Sequence, residues 1–183
     1  MIECTLDYGT LSADGKKLQL VCHGIGTYEI VTGKYEFHND VNCSYKEDAP
    51  IPPGWYFITE RRKGTWRAEF QNTIQKDWRW MWGVYNDKEN WFSLINAQNR
   101  SNEMIVNGNS RGGFKLHPLN SDGSGHSAGC VTLYNYHEFM ILRERILKTK
   151  VMMLNEKGYG NVKVYGSLRV VGYPDFSKCN INA

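Results

Sequence analysis

Apolar residues alternate with polar ones on both sides of Asp14-Gly15, with Leu6 and Tyr8 before it and Leu18 and Leu20 after it. Asp-Gly is a favoured turn dipeptide and period-two alternation marks a strand with one buried face, so the pattern predicts a β-hairpin over residues 4–22. Further on, Pro50-Ile51-Pro52-Pro53-Gly54 fixes an extended approach and a turn into a strand at 55–59. Five of the six tryptophans, at 66, 78, 80, 82 and 91, fall within 64–96 and alternate with polar residues. That alternation is read as strands with an aromatic core face, in preference to a platform that stacks on glycans. Residues 107–111 read as a loop. Gly112-Gly113 then leads into a short strand, Phe114-Lys115-Leu116-His117. A polar connection over 118–129 ends at a second short strand, Val131-Thr132-Leu133. Asn135 with Glu138 forms a helix N-cap and capping box, and Phe139, Leu142 and Ile146 give that helix an apolar face running to about Thr149. Strands at 151–154 and 162–171 close the chain. The expected fold is mainly β, one domain over 1–183, with one helix after the cysteine at 130.

Composition narrows the class. Hydrophobic residues at 41% and charged residues at 22% fit a globular domain. A net charge of +3 is too small and too scattered to point to nucleic acid, yet it does not oppose approach to an anionic polymer. No apolar run approaches the length of a membrane span, so no membrane insertion is expected. The opening Met1–Asp7 carries neither a basic flank nor an apolar segment, which predicts a chain without a Sec signal, either cytoplasmic, processed or exported in a folded state.

Cysteines stand at 4, 22, 43, 130 and 179. A hairpin turn near 13–15 sets Cys4 opposite Cys22, which permits a bridge and leaves Cys43 for Cys179, with Cys130 outside both. The alternative is five reduced thiols, as in a reducing compartment.

The chemistry concentrates between 113 and 131. A thiol is a good acyl-transfer nucleophile only as thiolate, and its ordinary pKa of about 8.5 calls for a base within reach. His117 ends one strand and Cys130 begins another, so the intervening loop can lay the two side by side, in a cleft open to a peptide. Gly129 allows close approach of a carbonyl, and the Gly129 and Cys130 N–H groups are candidates for an oxyanion site. Ser127 is a candidate to hold the loop. Arg111 is a candidate to bind a substrate carboxylate, since guanidinium grips carboxylate bidentately, with a surface salt bridge as its plain alternative.

His117, a loop and then Ser127-Ala128-Gly129-Cys130 resemble the L,D-transpeptidase catalytic domain. Three segments make the chain more similar to the L,D-transpeptidase-like toxic effectors of type VI secretion: Tyr8-Gly9-Thr10-Leu11 with Asp14-Gly15, Ala49-Pro50-Ile51-Pro52-Pro53-Gly54-Trp55-Tyr56, and Arg111-Gly112-Gly113-Phe114-Lys115-Leu116-His117. The resemblance implies an L,D-transpeptidase-like β-sandwich or barrel, no cofactor and no metal, and acyl transfer through a Cys130 thioester with His117 as base. It also implies that the donor is the tetrapeptide stem of peptidoglycan, cut before its terminal D-alanine. Water as acceptor gives L,D-carboxypeptidase activity, and a D-amino acid gives exchange. The implied partners are the secretion machinery and a cognate immunity protein, and the implied place of action is the periplasm of a target bacterium. The chain departs from the wider family at Pro118, Ala128 and Thr132, which leaves the partner that orients His117 unassigned.

Rival readings differ in chemistry. His117, His126, Cys130 and His137 form a set of zinc-compatible ligands. A peptidoglycan- or glycan-binding module would use its tryptophans and keep its function without Cys130. A papain-like protease or amidase places its cysteine before its histidine, the reverse of the order here. Cys130 as a buried structural thiol is the plain reading. His23 and His38 read as structural.

Overall fold

The computed structural model describes residues 1–61, 88–119, 129–158 and 160–179. Nine of its strands form one sheet in the order β1-β2-β3-β9-β8-β5-β4-β11-β10. The strands are β1 (Ile2–Asp7), β2 (Leu18–Cys22), β3 (Gly26–Thr32), β4 (Gly54–Glu60), β5 (Phe92–Asn96), β8 (Lys115–Pro118), β9 (Val131–Leu133), β10 (Met152–Glu156) and β11 (Gly160–Val171). β1 pairs in parallel with the C-terminal half of β11, from Ile2↔Gly166 to Asp7↔Val171. That pairing closes eight of the strands into a mixed barrel and leaves β10 on the N-terminal half of β11 as an extension. β6 (Glu103–Val106) and β7 (Asn109–Gly112) form a separate hairpin. The helix α1 (Tyr136–Leu147) follows β9. The expected mainly β fold with one helix after the cysteine is the one observed.

Alternation along each strand builds the interior. Leu6, Leu18, Leu20, Ile30, Tyr56, Ile58, Phe92, Leu94, Leu116, Val131, Leu133 and Leu168 join one core cluster, and Phe139, Leu142 and Ile146 of α1 pack into it. Each fully buried large side chain removes apolar area from water, and the sum of these is the main force closing the barrel. The helix starts where expected, with the Asn135 carboxamide accepting from the His137 and Glu138 N–H groups.

The first hairpin sets Cys4 directly opposite Cys22, and a disulfide joins them. A second disulfide joins Cys43 to Cys179 across 136 residues. Closing so long a loop restricts the unfolded chain by on the order of 5 kcal/mol in the chain-entropy view. Both bridges match the expected pairing. Two details differ from expectation. Tyr8 leaves the first strand for a short 3-10 turn, Tyr8–Thr10, from which its hydroxyl donates to the Ile51 carbonyl at 2.6 Å. The stretch from 107 is a hairpin turn rather than a loop: Asn107 (φ 46°) and Gly108 (φ 80°) make the tight left-handed corner between β6 and β7. The tryptophan-rich stretch from 64 lies outside the described residues up to Trp82.

Candidate active site

β8 and β9 run parallel side by side, with Leu116 opposite Val131 and His117 opposite Thr132. Alternate residues of a strand face opposite sides of the sheet. Leu116, Val131 and Leu133 face the barrel interior, so His117, Thr132 and Cys130 share the outer face. Cys130 takes no part in either disulfide. It immediately precedes β9, two residues before Thr132, the in-register partner of His117.

The ring of His117 is held on three sides. Its Nδ1 lies 2.8 Å from the Pro118 carbonyl oxygen. A carbonyl only accepts, so Nδ1 carries the hydrogen and Nε2 is the basic nitrogen of the neutral ring. Nε2 lies 3.3 Å from the Thr132 hydroxyl. The indole of Trp91 stacks on the imidazole, with centroids 4.1 Å apart and planes 17° from parallel. The guanidinium of Arg61 lies over the other ring system of this stack, 5.5 Å from the Trp91 centroid, while its Nη1 donates to the Lys88 carbonyl at 2.6 Å. Pro118 and Thr132, two of the three departures from the wider pattern, thus orient the imidazole. Proline lacks an N–H, but its carbonyl fixes the tautomer.

The same outer face carries a lysine. Ser93 on β5 pairs with Lys115 on β8, and the Lys115 ammonium donates to the Ser93 hydroxyl at 3.1 Å. Burial pushes this ammonium below the usual lysine range; Cys130 pulls it back up, Arg61 pushes it down, and Glu156 on β10 pulls it up. His117 is fully buried and Cys130 is 4% exposed. Among the described residues, no open cleft of the kind expected around the pair is lined by either side chain.

The turn before Cys130 has its own requirement. Gly129 adopts φ +74°, and a Cβ there would lie 2.7 Å from Nη2 of Arg111 and 2.8 Å from the Phe114 ring. Both the backbone and its surroundings demand glycine.

The Tlde1 domain matches this chain over residues 26–157. The chain belongs to the Tlde1 family. That family is the type VI L,D-transpeptidase effector family, and its match spans β3 through β10, with His117 and Cys130 inside. Comparison with curated proteins finds no match. Membership implies an enzyme of the L,D-transpeptidase type that is delivered to a target cell, with a peptidoglycan substrate.

Other expected site residues of this Tlde1 domain are placed as follows. Arg111 is neither a surface ion pair nor an exposed carboxylate clamp. It is 5% exposed and donates to the carbonyls of Ser44, Ala49 (2.7 Å) and Pro50 (3.5 Å), with its face 5.4 Å from the Phe114 ring. These carbonyls use its N–H groups, so it braces the 44–50 segment beneath Gly129. Ser127, Ala128 and His126 lie outside the described residues. His137 sits in the first turn of α1, and among the described residues no three His, Cys, Asp or Glu side chains gather as a metal site. A concavity of about 610 Å³ opens between residues 45–48 and β7. Neither His117 nor Cys130 lines it, so it is not where their chemistry occurs.

Trp91, Lys115 and Ser93 were not singled out from sequence. Trp91 looked like one more core aromatic. The one available signal for Lys115 was a cation at the i−2 position of a half-buried strand that ends in the histidine.

Proposed function

We propose that this Tlde1 domain is a peptidoglycan-modifying cysteine enzyme that cuts tetrapeptide stems before their terminal D-alanine. Cys130 is the nucleophile and His117 the base. Nε2 takes the thiol proton, and the sulfur attacks the carbonyl of the third stem residue. The tetrahedral oxyanion collapses as the imidazolium returns the proton to the departing D-alanine amine, leaving a thioester on Cys130. Water, deprotonated by the same Nε2, then releases a tripeptide stem; a D-amino acid amine in its place gives exchange. The Gly129 and Cys130 N–H groups are the candidate oxyanion donors, with Ser127 supporting that turn.

The observation that carries this reading is the tautomer of His117. With Nδ1–H committed to the Pro118 carbonyl, Nε2 is the basic nitrogen, on the face that also holds Cys130. The two disulfides suit an oxidising compartment, which supports action in the target periplasm, where a cognate immunity protein would protect the producer.

Purified muropeptides test the proposal. Wild-type protein should convert tetrapeptide to tripeptide stems. Cys130→Ala and His117→Ala should each lower the rate by at least about a thousandfold while the far-ultraviolet spectrum stays unchanged. Unchanged stems, with binding retained in Cys130→Ala, would instead identify a binding module.

A further inference from the structure

A lysine in a strand between Phe114 and Leu116 is costly unless an anion answers it, because burial disfavours the charged form. Ser93, its hydrogen-bond acceptor, is neutral. The β8–β9 ladder begins at Leu116↔Val131, so Lys115 and Cys130, the residues just before these two, lie at adjoining strand ends, and Cys130 acts electrostatically on the lysine. Both residues lie on the outer face, since Leu116 and Val131 face inward.

We propose that Lys115 is a positioning residue that holds Cys130 as a thiolate by presenting its ammonium to the sulfur from the neighbouring strand. This rests on Cys130 being the nucleophile. The Ser93 hydroxyl anchors the ammonium and leaves its other N–H groups to point along the face. When the thiol proton passes to Nε2 of His117, the negative sulfur lies beside a fixed positive charge, so the nucleophilic form persists between substrates. Among the described residues, the other titratable groups at this lysine are Arg61 and Glu156, with the imidazole of His117 on the same face. Arg61 disfavours the ammonium, and among the described residues Glu156 on β10 is the carboxylate that acts on it. A lysine serving Glu156 alone would leave the sulfur unaffected, and this makes the two roles separable.

The test is a pH titration of thiolate ultraviolet absorbance on the intact protein, in which the other four cysteines are silent as disulfides. Lys115→Met should raise the Cys130 midpoint by about one to three pH units, and Lys115→Arg, which keeps the charge, should restore most of the shift. An unchanged midpoint in Lys115→Met would overturn the proposal. So would an equal rise in Lys115→Arg, which would mean that shape rather than charge matters. If Lys115→Met does not fold, the wild-type titration decides, because a midpoint at or above the ordinary value of about 8.5 would also overturn it. The titration needs no substrate. A normal shift without stem turnover would therefore retire the enzymatic reading and leave the Lys115–Cys130 coupling standing.

Discussion

At the scale of single residues, the site depends on how few positions Gly129 and His117 can occupy. The left-handed φ of Gly129 costs an L-residue about 1 kcal/mol or more, and an added methyl would press on Arg111 and Phe114. Gly129→Ala is expected to shift the turn that carries Cys130. A misplacement of about 1 Å can lower a rate on the order of a hundredfold. Steady-state kinetics on muropeptides should show that loss in kcat, with a melting temperature only a few degrees lower. Loss of stability without loss of kcat would contradict the role given to this turn. Proton bookkeeping also belongs here. Burial lowers the ammonium of Lys115, so it loses its proton at a lower pH than an ordinary lysine. Activity should then decline on the alkaline side below about pH 10.4, the free lysine value. In Lys115→Arg that limb should move upward, as measured by the pH profile of kcat/KM.

At the scale of elements, the sequence was legible wherever one segment determines its own geometry. The Asp14-Gly15 turn sets the register of β1 and β2, and that register dictates the Cys4–Cys22 bridge. The Pro-rich approach to β4 and the Asn135 cap of α1 are local in the same sense. Asn107-Gly108 was equally local, a strong hairpin dipeptide read as a loop because the flanking 103–106 and 109–112 carry weak apolar alternation. What stayed hidden depends on strand order. That Thr132 faces His117, that Lys115 reaches Ser93 and that Trp91 stacks on the imidazole all follow from β8 lying between β9 and β5. No periodicity within any one strand reveals its neighbours. The bracing contacts of Arg111 were hidden for a related reason: its carbonyl partners lie more than sixty residues away, at 44, 49 and 50.

For the whole molecule, two buried phenols tie the barrel to the chain that leads into β4. Tyr8 donates to the Ile51 carbonyl at 2.6 Å and Tyr56 to the Pro52 carbonyl at 2.7 Å. Burial raises the pKa of both well above the ordinary phenol value. The unfolded chain thus releases these protons from about pH 10 upward while the folded chain keeps them, so the stability they give is full below pH 10 and falls as pH rises beyond it. Chemical denaturation at stepped alkaline pH should show that decline. Tyr8→Phe with Tyr56→Phe should make it shallower, at a cost of about 1 kcal/mol per lost hydrogen bond at neutral pH. A decline of equal steepness in the double variant would contradict this. The central claim, that the outer face of the barrel performs acyl transfer through Cys130, is tested most directly by intact-protein mass spectrometry during turnover of a tetrapeptide stem. The account predicts a transient adduct equal in mass to the stem less D-alanine, mapped to Cys130 and absent from Cys130→Ala. D-alanine released at the wild-type rate by Cys130→Ala would contradict it.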